Sequence, residues 1–142
     1  MLKVLLGFFF FALLNVSIYA QSYKQKYDIV LKKDKTEKIL VKYGNIEKLL
    51  TFRWTLYHNE GLVLLRSYDQ IVAQNMLYLN HINQSVKIEL RSRAGGYTSL
   101  PYVILKFVKF NYQTKEASFG LFLFDREDQI ELKFLDKETG QG

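Results

Sequence analysis

Two imidazoles, His58 and His81, are all that this chain offers for general-base chemistry or nitrogen ligation at neutral pH. His58-Asn59-Glu60 sets a ring nitrogen and a carboxylate two residues apart. Protein metal sites take three or four donors, and the chain has no cysteine to supply one. The same residues followed by Gly61 have the composition of a hairpin turn, which the sequence favours over a metal site. Nucleophilic catalysis fares no better, because a cysteine nucleophile is absent and no serine sits in a nucleophile-elbow setting. Glu127 and Asp128 are adjacent carboxylates, but they fall in a polar run suited to a turn, with nothing to bury and tune them. The sequence therefore predicts no catalytic residue, no metal, no cofactor and no enzyme.

Binding chemistry has two candidate stretches. In residues 91–101, Arg91 and Arg93 precede the pair Gly95-Gly96. The amides of that pair could approach an anionic group closely, with Tyr97 available to stack. Read structurally, the same residues are a flexible connection shaped by glycine and Pro101. The second stretch is a surplus of apolar surface. Ile104, Val108 and Phe110 share one strand parity in residues 102–112, while Val103, Leu105 and Phe107 share the other. Residues 117–124 repeat the pattern, Phe119, Leu121 and Leu123 opposing Phe122 and Phe124. A strand apolar on both faces is covered on both. The cover for Val103, Leu105 and Phe107 is another part of the chain, a partner protein or an apolar ligand. Asn83-Gln84-Ser85 matches a glycosylation sequon, relevant only in a host that glycosylates exported chains.

The elements that must position these residues begin after an export signal. Lys3 precedes an uninterrupted apolar run at residues 4–14. Asn15 and Ser17 break it, and Ala20 offers a small residue at the cleavage point. A membrane-spanning helix needs roughly 20 apolar residues, and this run is far shorter. Residues 1–20 are thus read as a signal peptide. Residues 21–142 form one domain, with a frayed tail over 136–142. A cysteine-free exported chain fits the bacterial periplasm; secretion, or tethering by an uncleaved N-terminal anchor, is the alternative. After cleavage the chain is expected not to be an integral membrane protein.

The net charge of +6 concentrates in residues 21–48. There Lys24, Lys26, Lys32, Lys33, Lys35, Lys38, Lys42 and Lys48 face only Asp28, Asp34, Glu37 and Glu47. The interspersed acids favour a lysine-rich edge that discourages strand pairing over an anion-binding patch. Nucleic acid is not expected as a partner of an exported chain.

Period-two alternation dominates the rest. Leu50, Phe52, Trp54 and Leu56 alternate with polar residues, as do Val86, Ile88 and Leu90, and Ile130, Leu132 and Phe134. Polar clusters at 33–36, 58–61, 113–116 and 125–128 separate the runs, and Gly44-Asn45 makes a further break. Residues 69–82 fit either a strand or a helix capped by Asp69, with Val72, Met76, Leu79 and Ile82 on one face. The expected fold is an all-β antiparallel β-sandwich, or alternatively a small closed or partly open lipocalin-like barrel. The expected role is a non-enzymatic interaction domain of an envelope assembly with an envelope protein partner. The alternative is a carrier holding a small apolar or amphipathic ligand inside a barrel.

Overall fold

The computed structural model describes residues 22–91 and 100–136. Alternating sequence becomes strand throughout: Gln25–Lys32 (β1), Glu37–Tyr43 (β2), Ile46–His58 (β3), Gly61–Tyr68 (β4), Ile71–Tyr78 (β5), Ser85–Glu89 (β6), Tyr102–Asn111 (β7), Glu116–Phe124 (β8) and Glu131–Phe134 (β9). They form two antiparallel sheets, one ordered β1-β8-β7-β6 and the other β5-β4-β3-β2-β9. The sheets stack as a sandwich, and no closed barrel forms. Among the described residues no helix is long and apolar enough to cross a membrane.

The turns follow their residues. Asn59-Glu60 and Asp69-Gln70 each close a two-residue hairpin with both φ angles positive (48° and 63°, 49° and 66°). This geometry matches the right-handed twist of the flanking strands. Gly44 carries the positive φ, 56°, of the β2–β3 turn. The segment read as helix or strand is strand, because Ile71–Tyr78 completes a ladder with β4 that runs unbroken from Tyr68↔Ile71 to Gly61↔Tyr78. Asp69 is then a turn residue, its carboxylate accepting from Lys48 Nζ at 2.5 Å.

The core lies between the sheets. Ile39, Val41, Leu50, Phe52, Leu62 and Leu64 come from one side, and Val103, Leu105, Phe107, Phe119, Leu121 and Leu123 from the other, all almost fully buried. Each such side chain stabilises the fold by about 1.5–3 kcal/mol through apolar burial. Phe52 meets Phe119 edge-on across the interface, with ring centroids 5.8 Å apart. Three segments carry the chain from one sheet to the other, and polar bonds fix each of them; at 79–84, for example, Gln84 Nε2 donates to the Phe107 carbonyl (2.8 Å). At 33–36, the Asp34 N–H donates to the Trp54 carbonyl (2.9 Å) while Trp54 Nε1 donates to the Leu31 carbonyl (2.8 Å). At 125–130, buried Asp125 accepts from the Ile130 N–H (2.7 Å), and Lys24 bridges Asp125 and Asp128.

Two β-bulges break the alternation. One lies between Trp54 and Leu56 in β3, the other between Phe107 and Lys109 in β7. Each adds one residue, Thr55 or Val108, and so reverses the parity beyond it. Leu56, expected inside with Trp54, is therefore 53 % exposed, while Tyr57 turns inward opposite Leu62. In β7, Val108 faces out, and Phe110 joins the Phe107 side instead of the Ile104 side.

Candidate functional site

The structure separates the residues that the sequence singled out. Val103, Leu105 and Phe107 have no exposed surface; their cover is the opposite sheet of the same chain. They are core, and neither a partner nor a ligand reaches them. The other face of the same sheet is dressed locally. Phe124 stacks on Tyr102 (4.7 Å), Tyr23 meets Phe122 edge-on (5.2 Å), and Lys26 and Lys87 lie over Phe122 and Tyr102. Gly120 makes room for this, since the Phe122 ring lies 2.9 Å from where a Cβ would stand. The inner apolar face of β7 and β8 is thus fully covered within the domain, and the outer one partly, with Val108 left 48 % exposed.

Of the glycine-arginine loop, Arg93, Gly95, Gly96 and Tyr97 lie outside the described residues. Arg91 does not: its guanidinium sits 5.0 Å over the Tyr43 ring and donates to Gln129 Oε1. A polar cleft of about 470 Å³ opens beside Tyr43, lined by Lys42, Gly44, Asn45, Glu47, Gln129 and Glu131. Lys42 and Glu47 pair there at 3.2 Å, and Glu131 leaves the lining with one further carboxylate. His58 and His81 are exposed, in or beside turns. Among the described residues no three His, Cys, Asp or Glu side chains converge as a metal site would require.

What the fold does assemble is an aromatic groove at the opposite end of the sandwich. The two bulges face one another there and turn Tyr57 and Phe110 to the same place. Their rings stack at 4.0 Å and 22°. The edge of Trp54 closes one side (5.7 Å to Phe110), and Tyr112 stands across both Tyr57 and Phe110 (5.8 and 5.1 Å). Lys33, Leu56 and Lys115 complete a cleft of about 290 Å³. Burial grades along it. Trp54 belongs to the core, Tyr57 and Phe110 are half-buried, and Tyr112 is 63 % exposed. Bulges commonly re-aim side chains next to binding and active sites.

The groove's electrostatics are simple. Lys115 Nζ lies 5.9 Å from the Tyr112 ring centre, within cation–π range. Neither Lys33 nor Lys115 forms an ion pair among the described residues, and no carboxylate lines the cleft. The Tyr57 and Tyr112 hydroxyls are 3.1 Å apart. Burial, then the Tyr112 hydroxyl and the nearby Glu60 charge, pushes the Tyr57 phenol up to about 12. At neutral pH the Tyr57 hydroxyl is therefore a neutral hydrogen-bonding group and not a base. The arrangement can stack, hydrogen-bond and attract an anion, but it has no nucleophile poised for reaction.

Sequence reasoning missed this groove. Alternation places Trp54 in the core, where it lies, but does not connect Tyr57, Phe110 and Tyr112, because one inserted residue per strand hides their shared direction. The available signal was aromatic residues placed against the turns at 58–61 and 113–116. No protein-family model matches the chain, and neither the curated proteins nor the solved structures contain a significant match.

Proposed function

We propose that this chain is an exported, non-enzymatic binding domain of a bacterial envelope assembly, and that the aromatic groove engages its protein partner. The observation that carries the reading is the pair of facing bulges, which breaks two core strands to place Tyr57 and Phe110 beside Tyr112 in an open cleft. Burial alone would be served as well by unbroken alternation. The two lysines at the rim, with no lining carboxylate, favour a partner segment that sets an apolar or aromatic side chain beside an acidic one. Export is supported by the arrangement of Lys3, the apolar run and Ala20 in the sequence. The carrier alternative has less support, since the sheets form no closed barrel and Val103, Leu105 and Phe107 are buried in the core.

The test is in-cell crosslinking in the native host, followed by recovery of the mature chain from envelope fractions. Tyr112 is mostly exposed, so Tyr112→Ala and the double variant Lys33→Glu/Lys115→Glu should fold normally and lose the crosslinked partner. A partner retained by both variants would remove the groove from the interface. Stoichiometric lipid on the wild-type protein in native mass spectrometry would restore the carrier reading instead.

A further inference from the structure

The four outer strands of the two sheets differ in how they discourage pairing with another chain. β1 carries Lys26, Asp28 and Lys32; β6 is five residues long with Lys87 and Glu89; β9 is four residues long with Glu131 and Lys133. Charge and shortness are the usual protections of a sheet edge. β5 has neither. Its eight residues, Ile-Val-Ala-Gln-Asn-Met-Leu-Tyr, contain no charge and no proline, and its ladder with β4 has no bulge to twist the edge away. Among the described residues β5 pairs only with β4. It is also bare on both faces at one end, with Ile71 65 % and Val72 76 % exposed, and Met76 is 47 % exposed further along.

The turn decides which backbone groups point outward. A two-residue loop at Asp69-Gln70 makes Tyr68 and Ile71 a hydrogen-bonded pair, and period two assigns Ala73, Asn75 and Leu77 to β4 as well. The N–H and C=O groups of Val72, Gln74 and Met76 consequently face away from the sheet. Tyr78 belongs to the same outward set, and its N–H is taken by the Asn83 carbonyl at 3.2 Å. That bond marks where the open edge ends.

We infer that β5 pairs antiparallel with β5 of a second copy of this chain, about a two-fold axis through Gln74, to join the two five-stranded sheets. The occupant follows from self-complementarity. With Gln74 opposite its own copy, Val72 faces Met76 of the second copy on the outer side. On the inner side, Ile71 faces Leu77 of the second copy. The outward backbone groups of residues 72, 74 and 76 meet their like as hydrogen-bonded pairs, in the isologous manner of a two-fold dimer. Every side-chain pair is apolar or amide, so a copy meets no like charge along the strand. Asp69 at the flank is engaged by Lys48 of its own chain.

The mature chain should sediment as a dimer at micromolar concentrations. Val72→Lys/Met76→Lys sets lysine opposite lysine twice on exposed positions and should give a folded monomer with the wild-type circular dichroism spectrum. Gln74→Pro removes an N–H that β4 does not use, so it provides a second, independent way to block the edge. The chain has no native cysteine, so the register can be read directly. Opposed Cα atoms lie about 5.5 Å apart, within disulfide reach, so Gln74→Cys should oxidise to a covalent dimer. Val72→Cys should not, since its copy would be roughly 13 Å further along the strand. A wild type that stays monomeric to millimolar concentration, whether or not its edge takes up a foreign strand, overturns the inference. So does a dimer that survives both edge variants in folded form, or faster crosslinking at Val72 than at Gln74.

Discussion

Replacing Trp54 by Phe probes the link between the first sheet crossover and the core. Trp54 is 3 % exposed, and its indole Nε1 donates to the Leu31 carbonyl at 2.8 Å while its own carbonyl accepts from Asp34. One residue of β3 thus holds both the end of β1 and the turn that follows it. Phenylalanine retains most of the ring and the backbone bond but removes the indole donor. Losing a donor to a buried carbonyl costs about 1–3 kcal/mol. The smaller ring leaves roughly 40 Å³ unfilled, which adds about 1 kcal/mol at ~24 cal/mol per Å³. The expected loss is about 2–4 kcal/mol, against about 3–5 kcal/mol or more for Trp54→Ala, from a total stability of about 5–15 kcal/mol. For a domain of this size that lowers the Tm by about 6–20 °C. Trp54 is the sole tryptophan, so its fluorescence reports the wild type only. Urea unfolding followed by far-ultraviolet circular dichroism compares all three proteins by one probe. A Trp54→Phe midpoint equal to wild type, at unchanged slope, would refute the clip and leave Trp54 as simple filling.

Other outcomes follow from the same geometry. Phe107→Glu places a carboxylate in the centre of the sandwich, where Phe107 has no exposed surface, and should abolish cooperative folding in a thermal melt; a folded variant would contradict the assignment to core. Alkali should destabilise the fold. Tyr57 is pushed up to about 12 and Tyr68 is raised by burial, then by the Tyr43 and Asp69 charges, from an ordinary value of 10.0. Above that ordinary value the unfolded chain ionises first, so the stability these groups contribute, complete below it, is lost as pH climbs through the folded values. Chemical denaturation across this range should show a falling midpoint, and a flat profile would place both phenols in water. Intact-mass analysis from the native host should give a chain beginning at or near Gln21, whereas the full precursor in membranes would overturn export with cleavage.

The sequence by itself determined the all-β fold, most strand positions and the inward sets of Leu50, Phe52 and Trp54, of Ile88 and Leu90, and of Phe119, Leu121 and Leu123. Those are local properties, since a pleated backbone sends alternate side chains to opposite faces wherever it runs unbroken. Turn positions were equally legible, because they are set by residues within each turn. Three matters only the tertiary structure decided. Within residues 69–82, Ile71–Tyr78 became strand because β4 offered eight pairing partners, a fact external to the segment. The surplus apolar parity of β7 became core because the opposite sheet covers Val103, Leu105 and Phe107, which no count within one strand can reveal. And the groove exists because Thr55 and Val108 are each inserted against a partner strand. A bulge is a relation between two strands, and the parity it reverses places Tyr57 beside Phe110 and Tyr112, more than fifty residues away in sequence.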